Sequence, residues 1–185
     1  MTKKDKYYKR IIKPIDDNSF FLFGPRGVGK TSWLKKNYPT ALYFDLLESE
    51  TFRKFTTYPE RLEEEIPEGF SDWIILDEIK KIPELLNEVH RLIESKKYKF
   101  ILTGSSARQL RKKGVNLLAG RAYTYFMYPL TIEELGNDFS LQKSLSVGHL
   151  PKAYLTKSPR RFLSAYLNTY LKTSYKEKST RTLKK

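Results

Sequence analysis

Five short apolar runs punctuate an otherwise polar chain, and they set the reading of everything between them. They are Phe20-Phe21-Leu22-Phe23, Ala41-Leu42-Tyr43-Phe44-Asp45-Leu46, Trp73-Ile74-Ile75-Leu76, Lys99-Phe100-Ile101-Leu102 and the aromatic stretch 123–128. Continuous apolar runs of this length fit strands of a parallel sheet covered on both faces, where alternation would signal a half-solvated strand. Strands are therefore predicted near 19–23, 41–46, 73–77, 99–103 and 123–128. Helical signals fill the gaps. Ser32-Trp33-Leu34-Lys35-Lys36 opens one helix after the first strand. Another starts after Pro59, with Glu63, Glu64, Glu65 and Glu68 on an exposed acidic face. A third takes Pro83 as its first residue and shows Leu85, Leu86, Val89, Leu92 and Ile93 at three-to-four spacing. Ser106 with Gln109 and Thr131 with Glu134 have the spacing of capping boxes, and Ser158 before Pro159 starts a last helix. Strands alternating with helices predict an α/β fold with a parallel sheet.

The first strand runs into Gly24-Pro25-Arg26-Gly27-Val28-Gly29-Lys30-Thr31, which fits G-x-x-x-x-G-K-S/T. That pattern between a strand and a helix is the context a phosphate-binding loop needs. Glycines at 24, 27 and 29 let the backbone turn its N–H groups inward onto an anion. Gly24 through Ser32 are therefore the candidate nucleotide-binding residues. Lys30 would reach the β- and γ-phosphates of a nucleoside triphosphate, and the Thr31 hydroxyl would ligate Mg²⁺. The third apolar run ends in Asp77-Glu78. Ligands of parallel sheets collect at the carboxyl ends of the strands, where this pair would sit. Asp77 suits a hard cation that wants oxygen neighbours. Glu78, pointing elsewhere, suits a carboxylate that orients or deprotonates water. The fourth run continues into Thr103-Gly104-Ser105-Ser106. Thr103 and Ser105 are candidates for sensing the nucleotide, whereas Ser106 reads as a cap.

Taken in order, GPRGVGKT, WIILDEIKKIPELLNEVHRLIE, FILTGSSARQL and NLLAGRAYTYFMYPLTIEEL resemble the prokaryotic AAA+-type ATPases that join a P-loop core to an uncharacterised C-terminal domain. The resemblance covers residues 7 to about 171. It implies a P-loop NTPase three-layer fold with a five-stranded parallel sheet, the P-loop strand lying centrally beside the sensor strand. It also implies ATP with Mg²⁺ as ligands and hydrolysis as the reaction. In such proteins an arginine at the end of the helix before the last core strand reaches the neighbouring subunit's ATP, and Arg121 holds that place. Self-association through Arg121 is the corresponding expectation. Proteins of this kind are longer, with a helical lid and a further domain. Here Leu171-Lys172 leads only into 173–185, which has no apolar periodicity. The expected organisation is thus a basic segment over 1–13, a P-loop domain over 14–171 and a basic, disordered tail over 172–185, without lid or C-terminal domain.

Charge changes this picture less than its total suggests. The chain has 35 Lys and Arg against 21 Asp and Glu, a net +14. Residues 1–13 and 172–185 each hold six basic side chains and one acidic one, +5 apiece, leaving +4 for everything between. Basic segments of this kind attract nucleic acid non-specifically, so a nucleic-acid target stays open beside a protein one. Tyr7 and Tyr8 beside Lys6, Lys9 and Arg10 could stack on bases, but packing on the domain is the simpler expectation. There is no cysteine, and the two histidines, His90 and His149, are isolated, so thiolate and histidine metal sites are excluded. No apolar stretch reaches the length of a membrane span and no leader-like segment opens the chain, so a cytoplasmic protein is expected. Three readings remain. An ATP-hydrolysing machine subunit comes first, and a shortened nucleotide-binding module without turnover second. A P-loop kinase is third, supported by the cluster Arg108, Arg111, Lys112, Lys113.

Overall fold

In the computed structural model, residues 6–15, 17–107, 110, 118 and 120–169 are described. They form two compact units, one over Ile11–Tyr128 and the other joining the stretch up to Arg10 to the stretch from Pro129 onward. The larger unit holds all five strands: β1 (Ser19–Phe23), β2 (Leu42–Asp45), β3 (Trp73–Asp77), β4 (Lys99–Gly104) and β5 (Ala122–Phe126). They make one sheet in the order β2-β3-β4-β1-β5, and every pairing is parallel. This is the α/β five-stranded parallel sheet expected from the apolar runs, with the loop-bearing β1 inside it and next to β4.

Register explains why the strand ends matter. Phe23 lies opposite both Gly104 and Phe126, Leu76 opposite Leu102, and Asp45 opposite Asp77. The carboxyl ends of the strands therefore finish along one edge. Burial follows the pleat. Phe21 and Phe23 stack on one face with centroids 5.4 Å apart, and that face joins Ile74, Leu76, Phe100 and Leu102 to Leu85, Leu86, Val89 and Leu92 of α4 (Leu85–Lys96). On the other face Phe20 meets Trp73 and Tyr38, and Tyr38 meets Trp33 of α1 (Lys30–Asn37). Edge-to-face aromatic contacts of this kind add to the area they bury. A core with so many rings needs fewer residues to fill it.

Among the differences from the sequence expectation, two boundaries and one helix are the clearest. β5 stops at Phe126, and Met127 N makes the last rung of the β1–β5 ladder by donating to Phe23 O at 2.7 Å. α4 begins at Leu85, since Pro83 is used in a tighter entrance turn in which Leu86 N donates to Pro83 O at 3.0 Å. The helix α2 (Ser49–Thr57), buried through Phe55, went unmarked because it lacks an obvious cap or proline. The short α3 (Arg61–Glu64) follows Pro59 as expected, with Glu64, Glu65 and Glu68 exposed. Glu63 instead turns toward α4, where Arg91 and Lys96 pull its carboxyl below the usual range.

In the smaller unit the helices Ile132–Leu135, Leu141–Val147 and Pro151–Leu155 and a helical run over 159–169 surround Leu130, Leu135, Val147 and Tyr154. Tyr8 packs edge-on against Tyr154, with centroids 6.5 Å apart, so this ring belongs to a small core. Burial, with Asp138 beside it, pushes the Tyr8 phenol up to about 12. The Thr131–Glu134 capping box forms as its spacing predicts: Glu134 N donates to Thr131 Oγ1 at 3.1 Å and Thr131 N to Glu134 Oε2 at 3.0 Å. The same carboxylate accepts from Arg10 Nε through Oε1 at 2.8 Å, and both side chains are almost wholly buried. One residue thus caps a helix and neutralises a buried guanidinium. Removing half of a buried ion pair costs far more than the pair contributes, because the other charge stays desolvated. Glu134→Ala should accordingly lower the unfolding free energy by about 3 kcal/mol, against the ~1 kcal/mol of a lost cap alone. Urea denaturation measures the difference, and a loss no larger than the cap's would show that the ion pair contributes nothing.

Candidate nucleotide-binding site

The site lies wholly in the larger unit, at the carboxyl edge of the sheet. Its loop leaves β1 at Gly24, whose N donates to Gly104 O at 3.2 Å. A Cβ at residue 24 would run into the Met127 carbonyl, so only glycine lets the loop pass this close to the chain leaving β5. At the far end Gly29 adopts φ 96° and ψ 21°, a left-handed conformation that costs other residues about 1–2 kcal/mol. From there Trp33 N donates to Gly29 O at 2.9 Å and α1 is under way. Val28 is fully buried, so only its backbone can face a ligand, while Arg26, Gly27, Thr31 and Ser32 are exposed around the loop. The loop N–H groups and the first turn of α1 make a concave, electropositive cradle suited to phosphate.

Lys30 is buried at the floor of this cradle. Its ammonium donates to Gly24 O at 2.7 Å and approaches Pro25 O at 3.4 Å. Burial pulls its pKa below the ordinary lysine range, and the nearby Glu78 and Asp77 oppose that pull. A buried ammonium satisfied only by carbonyl dipoles is well prepared for a formally charged partner.

Asp77 is the hub. Its Oδ2 accepts from Thr31 Oγ1 at 3.0 Å and from the Tyr43 hydroxyl, and its Oδ1 accepts from the Thr103 hydroxyl. Three hydroxyls from α1, β2 and β4 thus converge on one carboxylate at the end of β3. Burial, with the Asp77 carboxylate beside it, holds the Tyr43 phenol well above its ordinary range, so it stays a donor. Thr103 has a second duty, for its Oγ1 accepts from Glu78 N at 3.1 Å. Glu78 sits at φ 61° and ψ 45°, a left-handed position for a residue with a Cβ, and the Thr103 bond helps to hold it there. Ser105 does not meet Asp77. Its Oγ accepts from Lys80 Nζ at 2.7 Å. The donor set beside the cradle is all oxygen, with the exposed Thr31 hydroxyl next to Asp77, and this fits Mg²⁺.

Arg121 is the one candidate that the structure keeps apart from the others. It immediately precedes β5, and Ala122 lies opposite Ser19 at the start of β1. The loop lies at the other end of that strand, roughly 13 Å further along at 3.3 Å per residue. The Arg121 guanidinium pairs with Glu94 near the end of α4 and holds that carboxyl below its usual range. Arg108, Arg111, Lys112, Lys113 and Gln109 lie outside the described residues, as do residues 172–185. Tyr43 and Lys80 are site residues that the motifs did not flag. Tyr43 is hidden in an apolar run on a neighbouring strand, and Lys80 looks like one basic residue among many.

Because Thr103 makes two buried hydrogen bonds, Thr103→Val should destabilise the protein by about 2 kcal/mol. Thr103→Ser, which keeps the hydroxyl, should lose well under half of that. Equal stabilities of the Val variant and wild type in chemical denaturation would show the bonds to be dispensable.

No curated protein matches the chain. Among solved structures, the Aeropyrum pernix ORC2 protein in its ADP form aligns with a TM-score of 0.47 at 15% sequence identity, over 70% of this chain and 47% of that one. The chain thus spans about half the length of that protein. Among the described residues, no helix is long and apolar enough to cross a membrane. A family model described as an AAA domain matches residues 16–136, well over half of the chain and the whole of the loop-bearing sheet. The chain belongs to this AAA family and is a nucleotide-binding P-loop protein.

Proposed function

We propose that this protein binds ATP with Mg²⁺ in the loop between β1 and α1 and hydrolyses it, using the energy to act on a protein or nucleic-acid target. The observation that carries the reading is the placement of Asp77 and Glu78. Asp77 is anchored beside the Thr31 hydroxyl at the edge of the cradle, and the adjacent Glu78, at a left-handed backbone position, has its carboxylate beside Lys80. Two neighbouring carboxylates with separate tasks suit hydrolysis better than transfer to an organic acceptor.

In this reading the loop N–H groups from Gly24 to Ser32 and the Lys30 ammonium hold the phosphates. Thr31, oriented by Asp77, would hold Mg²⁺, which when bound supplies charge neutralisation across the β- and γ-phosphates. Tyr43 and Thr103 keep the Asp77 carboxylate from rotating away. Glu78 accepts the proton of the attacking water. The water oxygen bonds to the γ-phosphorus as the bond to the β–γ bridging oxygen breaks, leaving ADP and phosphate. Two variants test this together. Lys30→Ala should weaken ATP binding at least ~10-fold by calorimetry, about 1.4 kcal/mol. Glu78→Gln should keep ATP affinity while lowering phosphate release by ~10²-fold. Undiminished affinity in the first variant would remove the site. Wild type that binds ATP but releases no phosphate above blank would leave a nucleotide-binding module without turnover.

Arg121 completes the proposal in trans. Its distance from the loop on its own sheet puts the phosphates of this chain out of reach, and its guanidinium, paired with Glu94, is 40% exposed at the opposite edge of the sheet. A planar guanidinium balances charge on a transferring phosphoryl bidentately, and such fingers contribute about 10³–10⁵ in rate in P-loop enzymes. ATP should therefore promote self-association, measurable by analytical ultracentrifugation. Arg121→Ala subunits mixed with wild type should depress activity by more than simple dilution. A monomer at every concentration, hydrolysing at the same rate with and without Arg121, would overturn the arrangement.

A further inference from the structure

Glu78 has a well-held backbone and a poorly held head. Its N–H is fixed on Thr103, but its carboxylate oxygen Oε2 is buried and, among the described residues, makes no hydrogen bond. What stands near that oxygen is the Lys80 ammonium, at 3.6 Å, within ion-pair range and beyond hydrogen-bonding distance. Lys80 in turn donates to Ser105 Oγ at 2.7 Å. Lys80 sits in the short turn Ile79–Lys81, whose Lys81 N donates to Glu78 O at 2.9 Å, so the two side chains rise from one tight loop. Ser105 directly follows Gly104, whose carbonyl accepts from the first residue of the phosphate-binding loop. A chain of contacts thus runs from that loop, through the end of β4 and Lys80, to the Glu78 carboxylate.

Each link has a physical reason. A side chain with three rotatable bonds, 12% exposed, is desolvated without being located unless something holds its charge. Lys80 supplies the opposite charge, and Ser105 fixes where that charge sits. Because the hydrogen bond of Lys80 goes to Ser105, the lone pairs of Glu78 Oε2 remain open to another donor. An exposed lysine–glutamate pair would be worth next to nothing, but this pair is only 31% and 12% exposed and has a third member.

We propose that Lys80, anchored on Ser105, is a positioning residue for ATP hydrolysis: it fixes the Glu78 carboxylate just beyond the end of β3, leaves the lone pairs of the buried Oε2 unclaimed, and so sets the carboxylate to accept a proton from the attacking water. The proposal rests on the hydrolytic reading given above. It makes Ser105 act through Lys80 rather than on the nucleotide directly. Misplacing a reacting group by an ångström can cost up to about 10² in rate without touching binding, so the effect belongs in kcat.

The test combines turnover with a measurement that needs none. Lys80→Met should lower kcat for ATP about tenfold while ATP affinity by calorimetry stays within about twofold. Lys80→Arg, which keeps charge and donors, should recover most of the loss. Ser105→Ala should lower kcat less and add nothing to Lys80→Met. In the Glu78→Gln background, Lys80→Met should have no further effect. Wild-type turnover in Lys80→Met, or an equal fold loss with and without Glu78, would overturn the proposal. Lysine-selective ¹⁵N spectra of the protein supply the second readout, with the Lys80 signal assigned by its loss in Lys80→Arg. That signal should shift in both Ser105→Ala and Glu78→Gln. A protein that releases no phosphate yet shows both shifts would refute the hydrolytic reading and keep the tether, whereas a Lys80 signal unmoved by either variant would refute the tether itself.

Discussion

Everything at the carboxyl edge of the sheet depends on one carboxylate. Asp77 ends β3 between β2 and β4, and it accepts hydroxyl hydrogen bonds from both of those strands and from the first turn of α1. A buried carboxylate without partners would be costly enough to change its protonation or distort the strand end. With three donors converging on two oxygens, it instead becomes a strut between elements that the backbone ladder alone does not fix. The phosphate-binding loop is positioned from two sides as a result. Gly24 ties its start to β4, and Thr31 ties its exit to β3.

The charges of the site are arranged in layers. Lys30 is lodged under the loop against carbonyl oxygens, Asp77 is held by three hydroxyls, and Glu78 is left with a buried, unpartnered oxygen near Lys80. Each buried charge is thus compensated differently, by dipoles, by hydroxyl donors or by an opposite charge. The differences sort the groups by readiness. A carboxylate gripped by three hydroxyls is fixed in place, and one with an unpartnered oxygen has lone pairs to spare for a proton. The left-handed backbone at Glu78 belongs to the same logic, since the chain turns there directly after Asp77 ends β3. A non-glycine residue stays in that conformation only where its surroundings over-determine it, and here the Thr103 hydroxyl does so.

The sheet was readable because its signal is long-range in composition and local in sequence. All five apolar runs became strands, and the phosphate-binding loop fell where its pattern sits between strand and helix. Thr131 and Glu134 formed their box because capping is decided within four residues. What escaped was decided across strands. Tyr43 looks like core filler until β2 is laid beside β3, and only then does its hydroxyl meet Asp77. Glu134 announces a cap, but nothing local says that Arg10, over a hundred residues earlier, will share its carboxylate. Lys80 and Ser105 are likewise twenty-five positions apart and become neighbours only through the β3–β4 pairing. Helix α2 is a different case: Phe52 and Phe55 give it an apolar side, but no side-chain cap or proline marks where it starts.

The parallel topology also fixes what a single chain can and cannot do. In an all-parallel sheet the strand beginnings and strand ends form opposite edges, so a residue at the start of β5 and a loop at the end of β1 are kept apart by the length of a strand even though the two strands are hydrogen-bonded neighbours. No side-chain rotation closes that gap. A guanidinium at the starting edge can serve a phosphate at the finishing edge only if another copy presents that edge to it. The separation keeps Arg121 out of the chain's own site, which is why the role proposed for it is toward a second copy. Among the described residues β5 is the edge strand of the sheet on this side, with Tyr123 and Phe126 exposed.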